Sequence, residues 1–156
     1  MQTFTYSDAG IALTKGFEGL RLTAYQDCAG VLTIGYGHTG PDVVEGMTID
    51  EAQAEALLRA DVQVAVDCVN RAVTAAITQN QFDALVDFCF NVGCGSLLNS
   101  TLLRKVNAAD FAGAAAQFAL WVHAGGEVVA GLVRRREEEA EMFGQGLKQT
   151  SGLKPL

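Results

Sequence analysis

Four side chains within the stretch Gly16–Gly40, GFEGLRLTAYQDCAGVLTIGYGHTG, can do chemistry: the carboxylates of Glu18 and Asp27, the hydroxyl of Thr33 and the imidazole of His38. Two carboxylates held on separate local elements, with an apolar wall between them, are what cleavage of a glycosidic bond requires. One protonates the leaving oxygen while the other stabilises charge on the sugar or activates water. Phe17, Leu20 and Leu22 surround Glu18 with apolar side chains. Partial burial of that kind would let it hold a proton near neutrality and serve as general acid. Asp27 in a turn and Thr33 in a strand each have an ordinary local explanation. The chemical reading is carried by their conjunction with Glu18 in so short a stretch.

These groups must be positioned by the elements around them. Ser7 can cap a first helix, with Ile11, Leu13 or Thr14, and Phe17 on one face, stopping near Gly16–Gly19. From Leu20 to Gly46 the pattern alternates as in strands. It predicts a hairpin with its turn near Asp27–Gly30 and a glycine-rich exit at Gly35–Gly40. Thr48-Ile49-Asp50-Glu51 reads as a capping box with Thr48 as N-cap. The long helix after it carries Leu58, Val62, Ala65, Val69 and Ala72 on one stripe. Thr78–Gln81 is a second capping box, opening a helix that is apolar nearly all round through Phe82, Leu85, Val86, Phe88, Cys89 and Phe90. Leu102–Val106 reads as a short helix, and Phe111, Ala115, Phe118 and Val122 as another that buries Trp121. Leu132–Phe143 forms the last helix after a Gly125-Gly126 turn, with a loosely held tail from Gly144.

Composition narrows the function. The chain has 156 residues, 49% apolar, enough for one folded domain with a sizeable core. Its net charge of −7 supplies no basic patch for phosphates and argues against nucleic acid. No apolar run approaches the roughly 18 residues of a membrane span, so no stable membrane insertion is expected. The opening MQTFTYSDAGIALTKGFEG lacks the basic and apolar regions of an ordinary signal peptide. The four cysteines match no common zinc spacing, and no metal or cofactor is expected. Buried free thiols and one disulfide both fit them, and Cys68 with Cys94 is the candidate pair. Arg134-Arg135-Arg136 followed by Glu137-Glu138-Glu139 reads as a solvated face of i,i+3 pairs. The competing reading sends one arginine to Glu18 or to substrate.

At the spacing Glu18, eight residues, Asp27, five residues, Thr33, closed by TIGYGH, the sequence resembles the phage-type lysozymes (endolysins, glycoside hydrolase family 24). QNQFDALVDFCFNVGCGSL with STLLRKVN resembles the central helix and following loop of their lambdoid-phage branch, and WVHAGG with GLVRRREEEAEMF its C-terminal helices. The resemblance implies an α+β, lysozyme-like fold. A small N-terminal antiparallel β lobe (about 20–46) is joined by a long helix (about 49–72) to a larger C-terminal helical lobe (about 78–145 plus helix 7–17), with an active-site cleft between them and all of 1–156 one domain. Glu18 is then expected on the helical side, with Asp27 and Thr33 opposite.

The implied activity is hydrolysis of the β-1,4 bond between N-acetylmuramic acid and N-acetylglucosamine in peptidoglycan, for host-cell lysis. Glu18 would be the acid, Asp27 the charge-stabilising carboxylate and Thr33 the holder of water, with inversion as the outcome. His38 would be structural, paired with Asp61, because ADV matches the family's helix aspartate. Asn91 would contact an acetamido group. The partner is the glycan strand, met by a monomer made in the cytoplasm and released through a holin lesion. A lytic transglycosylase or a non-catalytic peptidoglycan-binding module are the alternatives. Cys28, directly after Asp27, departs from what a catalytic carboxylate usually has beside it and would make a redox switch if it found a partner. The acidic net charge is a second departure, since it removes long-range attraction to an anionic polymer.

Overall fold

The structure is a computed structural model that describes residues 3–152, with side chains described as far as 145. Its described residues group into two compact units, one of Ile11–Val64 and the other of 3–10 with 65–152.

Helix α1 (Asp8–Glu18) begins where Gly10 N–H donates to Ser7 Oγ at 3.2 Å. It ends at Gly19, whose φ of +74° turns the chain and whose N–H donates to Lys15 O at 3.1 Å. Strands β1 (Arg21–Gln26), β2 (Leu32–Gly35) and β3 (His38–Thr39) then form an antiparallel sheet in that order. Register runs Tyr25↔Thr33 and Gln26↔Leu32, then Thr33↔Thr39 and Ile34↔His38. The β1–β2 ladder is irregular between Arg21 and Tyr25. There β1 turns to residues 47–49 instead, through a Thr23–Thr48 bridge, Ala24 N–H to Met47 O and Ile49 N–H to Leu22 O.

That use of Thr48 corrects the predicted cap. Helix α2 (Glu51–Ala72) starts two residues later than a Thr48 cap requires, and Asp50 is its cap. Gln53 N–H donates to Asp50 Oδ1 at 2.8 Å and Asp50 N–H to Gln53 Oε1 at 2.9 Å, a reciprocal box. Thr48 is engaged with the sheet and has no orphan helix amide to serve. Ile34, Ala54, Leu58 and Val62 are fully or almost fully buried here, and each large aliphatic among them contributes about 1.5–3 kcal/mol by leaving water.

The second unit is built on α3 (Gln79–Val92), with every residue from Gln81 to Cys89 buried. The Thr78–Gln81 capping box is present in both directions. Helices α4 (Cys94–Leu98), α5 (Thr101–Asn107), α6 (Phe111–Gln117) and α7 (Ala130–Gly152) follow. A disulfide joins Cys68, near the end of α2, to Cys94 at the start of α4, with Cα atoms 6.0 Å apart. Cys89 is a buried free thiol and Cys28 an exposed one.

One expectation gives way in this unit. The helix predicted through Val122 stops at Gln117 and tightens into a 3₁₀ turn over Phe118–Leu120, closed by Trp121 N–H to Phe118 O. Residues His123–Ala124 and Glu127–Val128 then pair as a hairpin, β4 and β5, around Gly125 and Gly126, both at positive φ. Trp121 is therefore half-buried beyond a helix end, packed edge-on to Phe88 with centroids 5.3 Å apart. Helix α7 continues past Gly144 as far as Gly152; the rest of the tail, residues 153–156, lies outside the described ones.

Candidate active site

Glu18, Asp27 and Thr33 all fall within the Ile11–Val64 unit. Local ties explain the grouping of the last turns of α1 with the sheet and α2. Lys15 is hydrogen-bonded to Glu55, Arg59 Nε donates to the other oxygen of Glu55 at 3.0 Å, and Lys15 Nζ sits 5.6 Å from the Tyr36 ring centroid.

Glu18 is the last residue of α1 and is half-buried. Its carboxylate approaches the β2–β3 turn so closely that a Cβ built on Gly37 would lie 3.2 Å from Glu18 Oε1. Gly37 has φ +83°, so this position needs glycine for its backbone and for the carboxylate beside it.

Asp27 sits where β1 turns. Its Oδ1 accepts from Ala29 N–H and Val31 N–H, both at 2.9 Å, while Oδ2 accepts no hydrogen bond from the described residues. Asp27 N–H donates to Val31 O, and Gly30, at φ +81°, returns its N–H to Asp27 O. Thr33 is 4% exposed, and its Oγ1 donates to the same Val31 O at 2.9 Å. One peptide residue, Val31, thus fixes both side chains. Because the Thr33 proton is committed to Val31 O, the hydroxyl faces any further partner as an acceptor.

His38, on β3, is held from two sides: Nδ1 lies 2.7 Å from Asp61 Oδ2 on α2, and Nε2 lies 2.8 Å from Asp42 Oδ2. Burial works to lower its pKa, but hydrogen bonds to Asp61 and Asp42, with their charges, outweigh burial and raise it above 6.5. The imidazole fastens β3 to α2 within this unit, and both ring nitrogens are used in doing so.

In the helical unit, Asn91 is exposed in the last turn of α3. It lines a cavity of about 370 Å³ with Val92, Ser96, Leu120, Trp121, His123 and Leu132. Its Oδ1 accepts from Arg136 Nη2 at 2.7 Å. The solvated-face expectation for the arginine run fails for two of its three members. Arg135 and Arg136 are buried, and only Arg134 is exposed. Arg135 forms a two-point bond with Asp87, Nε to Oδ2 and Nη2 to Oδ1, each 2.9 Å. Arg136 lies over the Phe88 ring and contacts Glu139, Nε at 2.8 Å from Oε1 and Nη2 at 3.2 Å from Oε2. Burial, and then Asp87 beside it, pushes the Glu139 carboxyl up to about 11 against the pull of the two arginines. Among the described residues no group of three or more His, Cys, Asp or Glu is placed to hold a metal ion.

Residues 15–139 match the family model for phage lysozyme. The chain belongs to that family. It is 51% identical over 139 residues to the endolysin of Bacillus phage B103, an alignment covering 88% of this chain and 53% of that protein. The chain spans about half the length of the Bacillus-phage relatives it matches. Among solved structures, the muramidase domain of SpmX from Asticaccaulis excentricus superposes with a TM-score of 0.82 at 43% identity, covering 89% of this chain and 97% of that one. A point mutant of P22 lysozyme superposes with a TM-score of 0.84 at 39% identity, covering 90% and 98%. The α+β architecture of this family member is accordingly lysozyme-like.

Sequence reasoning missed Asp42 as the second partner of His38, although its i,i+4 position was visible. It also missed the buried Asp87–Arg135 and Arg136–Glu139 cluster. The available signal was Asp83 and Asp87 on a helix otherwise apolar all round, since an acid buried at such a position must be paired. Asp83 is satisfied by Ser7 N–H and Oγ and by Gln79 Nε2.

Proposed function

We propose that this chain is an endolysin-type muramidase that hydrolyses the β-1,4 bond between N-acetylmuramic acid and N-acetylglucosamine in peptidoglycan. The observation that carries the reading is the Val31 hub, which fixes a carboxylate and an acceptor hydroxyl together. Glu18 protonates the glycosidic oxygen of the leaving sugar. Water donates one hydrogen to Thr33 Oγ1 and is oriented by it, and the uncommitted Oδ2 of Asp27 takes the water's other proton as the C–O bond forms. The same carboxylate stabilises oxocarbenium-like charge at the anomeric carbon. A water held for direct attack gives inversion. Asn91 supplies a polar contact for amide groups of the strand, while His38 and Asp61 keep geometry.

Family membership and the muramidase domain to which the chain is similar support this reading. No helix among the described residues is long and apolar enough to cross a membrane. Action as a monomer, released to the wall through a holin lesion, belongs to the same proposal. The test is mass spectrometry of muropeptides released from purified peptidoglycan by the wild type and by Glu18→Gln. Reducing-end muramic acid that disappears in Glu18→Gln is the expected product. Anhydro-muramic ends would replace hydrolysis by a transglycosylase reaction, and absence of any Glu18-dependent product would leave a binding module.

A further inference from the structure

We propose that Arg136 is a positioning residue that turns the Asn91 amide so that its NH₂ group, and not its oxygen, is offered to amide carbonyls of a bound glycan strand. The inference rests on the strand being the ligand, as proposed above, and names the residue that sets the polarity of one contact.

A guanidinium carries donors only, so the Asn91 atom 2.7 Å from Arg136 Nη2 must be the carbonyl oxygen. That fixes the amide plane and leaves Nδ2 on the opposite edge, with no partner among the described residues, in an exposed residue at the cavity wall. Arg136 is a stiff base for this. It is 1% exposed, its guanidinium carbon lies 5.0 Å from the Phe88 ring centroid, and its Nε lies 2.8 Å from Glu139 Oε1. Its Nε and Nη1 are buried without an aligned hydrogen-bond partner. The bonds through Nη2, to Asn91 and Glu139, are therefore the oriented ones that hold the fork.

Trp121 lines the same cavity and is itself held edge-on by Phe88. An aromatic face beside a fixed NH₂ donor suits an apolar sugar or peptide face that carries an amide carbonyl. Such a carbonyl comes from the N-acetyl group or from the stem peptide, and a free ammonium, itself only a donor, would be rejected.

The experiment uses Asn91→Asp, which retains an acceptor for Arg136 but replaces the outward NH₂ with an acceptor oxygen. Kinetics are measured on soluble glycan strands, with stem peptides intact or removed by an amidase. In parallel, calorimetric binding of the same strands is measured in the Glu18→Gln background, where turnover is not needed. The expected result is a rise in KM and in Kd of about tenfold, the loss of one hydrogen bond to a desolvated carbonyl. The change should fall on KM and Kd more than on kcat. Arg136→Met should raise KM in the same direction when assayed well below its own Tm. Arg136→Lys should restore part of the loss, and Arg136→Met added to Asn91→Asp should raise KM no further. Persistence of the effect on peptide-free strands assigns the carbonyl to the acetamido group, and its confinement to peptide-bearing strands assigns it to the stem. An unchanged KM and Kd in Asn91→Asp, or an Arg136→Met that lowers Tm alone, overturns the proposal. Glu18-dependent products from the same strands would show the muramidase reading standing without it.

Discussion

Replacing Gly37 with alanine tests whether the turn between β2 and β3 positions the acid. Two effects are separable on this structure. The first is backbone strain: Gly37 has φ +83°, a region where a residue with a Cβ costs about 1–2 kcal/mol. For a chain of this size that lowers Tm by roughly 2–8 °C. The second is contact: the new methyl would stand 3.2 Å from Glu18 Oε1, so the carboxylate must retreat by a few tenths of an ångström. If misplacement by about 1 Å costs about 100-fold in rate, such a retreat costs about four- to tenfold. Gly46 supplies the control, because it has φ +80° in the same unit and nothing within 4 Å of its would-be Cβ. Urea melts of Gly37→Ala and Gly46→Ala should therefore show similar losses. Initial rates of peptidoglycan clearing, measured well below both melting temperatures, should fall in Gly37→Ala alone. Equal activity in the two variants would refute the claim that Gly37 is kept small for Glu18.

Three further outcomes follow from the packing and charges. Reducing the Cys68–Cys94 bond, which spans 26 residues, should cost about 3.5 kcal/mol by loop-closure entropy, read as a drop in urea midpoint in a Cys28→Ser background; a drop below about 1 kcal/mol would mean the loop is already ordered when unfolded. His38 has a raised pKa, so its pairing stabilises fully below 6.5 and is lost as pH climbs through the raised value. Asp42, with a lowered one, keeps its share above 3.8 and loses it as pH falls through that lowered value. The stability gap between wild type and His38→Asn should shrink from pH 6.5 upward in denaturant melts, and a gap constant to pH 9 would rule the pairing out. Asp87→Asn takes the two-point partner from a buried arginine, leaving Glu139 at 3.8 Å as its nearby acid, and should cost about 3 kcal/mol, whereas Asp87→Leu with Arg135→Met should cost less than that single change; additive losses would contradict a coupled pair.

What the sequence by itself determined was local. The order of charged and apolar residues along α3, the Thr78–Gln81 box and the turn at Asp27–Gly30 each follow from contacts within a few positions, where residue type decides geometry. The spacing of Glu18, Asp27 and Thr33 was legible for the same reason, since all three lie in one short stretch. The Asp50 cap was a near miss, because Thr48 has an equal local claim and only its pairing with Thr23 across the sheet removes it. Tertiary structure decided the rest. That Arg135 and Arg136 are buried depends on which face of α7 meets α3, and a run of three arginines before three glutamates has the same pattern on a solvated helix. That Asp27 and Thr33 share Val31 depends on hairpin register, which exists only once β1 and β2 pair. That Gly37 must be glycine depends on where the last turn of α1 puts a carboxylate nineteen positions earlier, a contact that exists only in the folded chain.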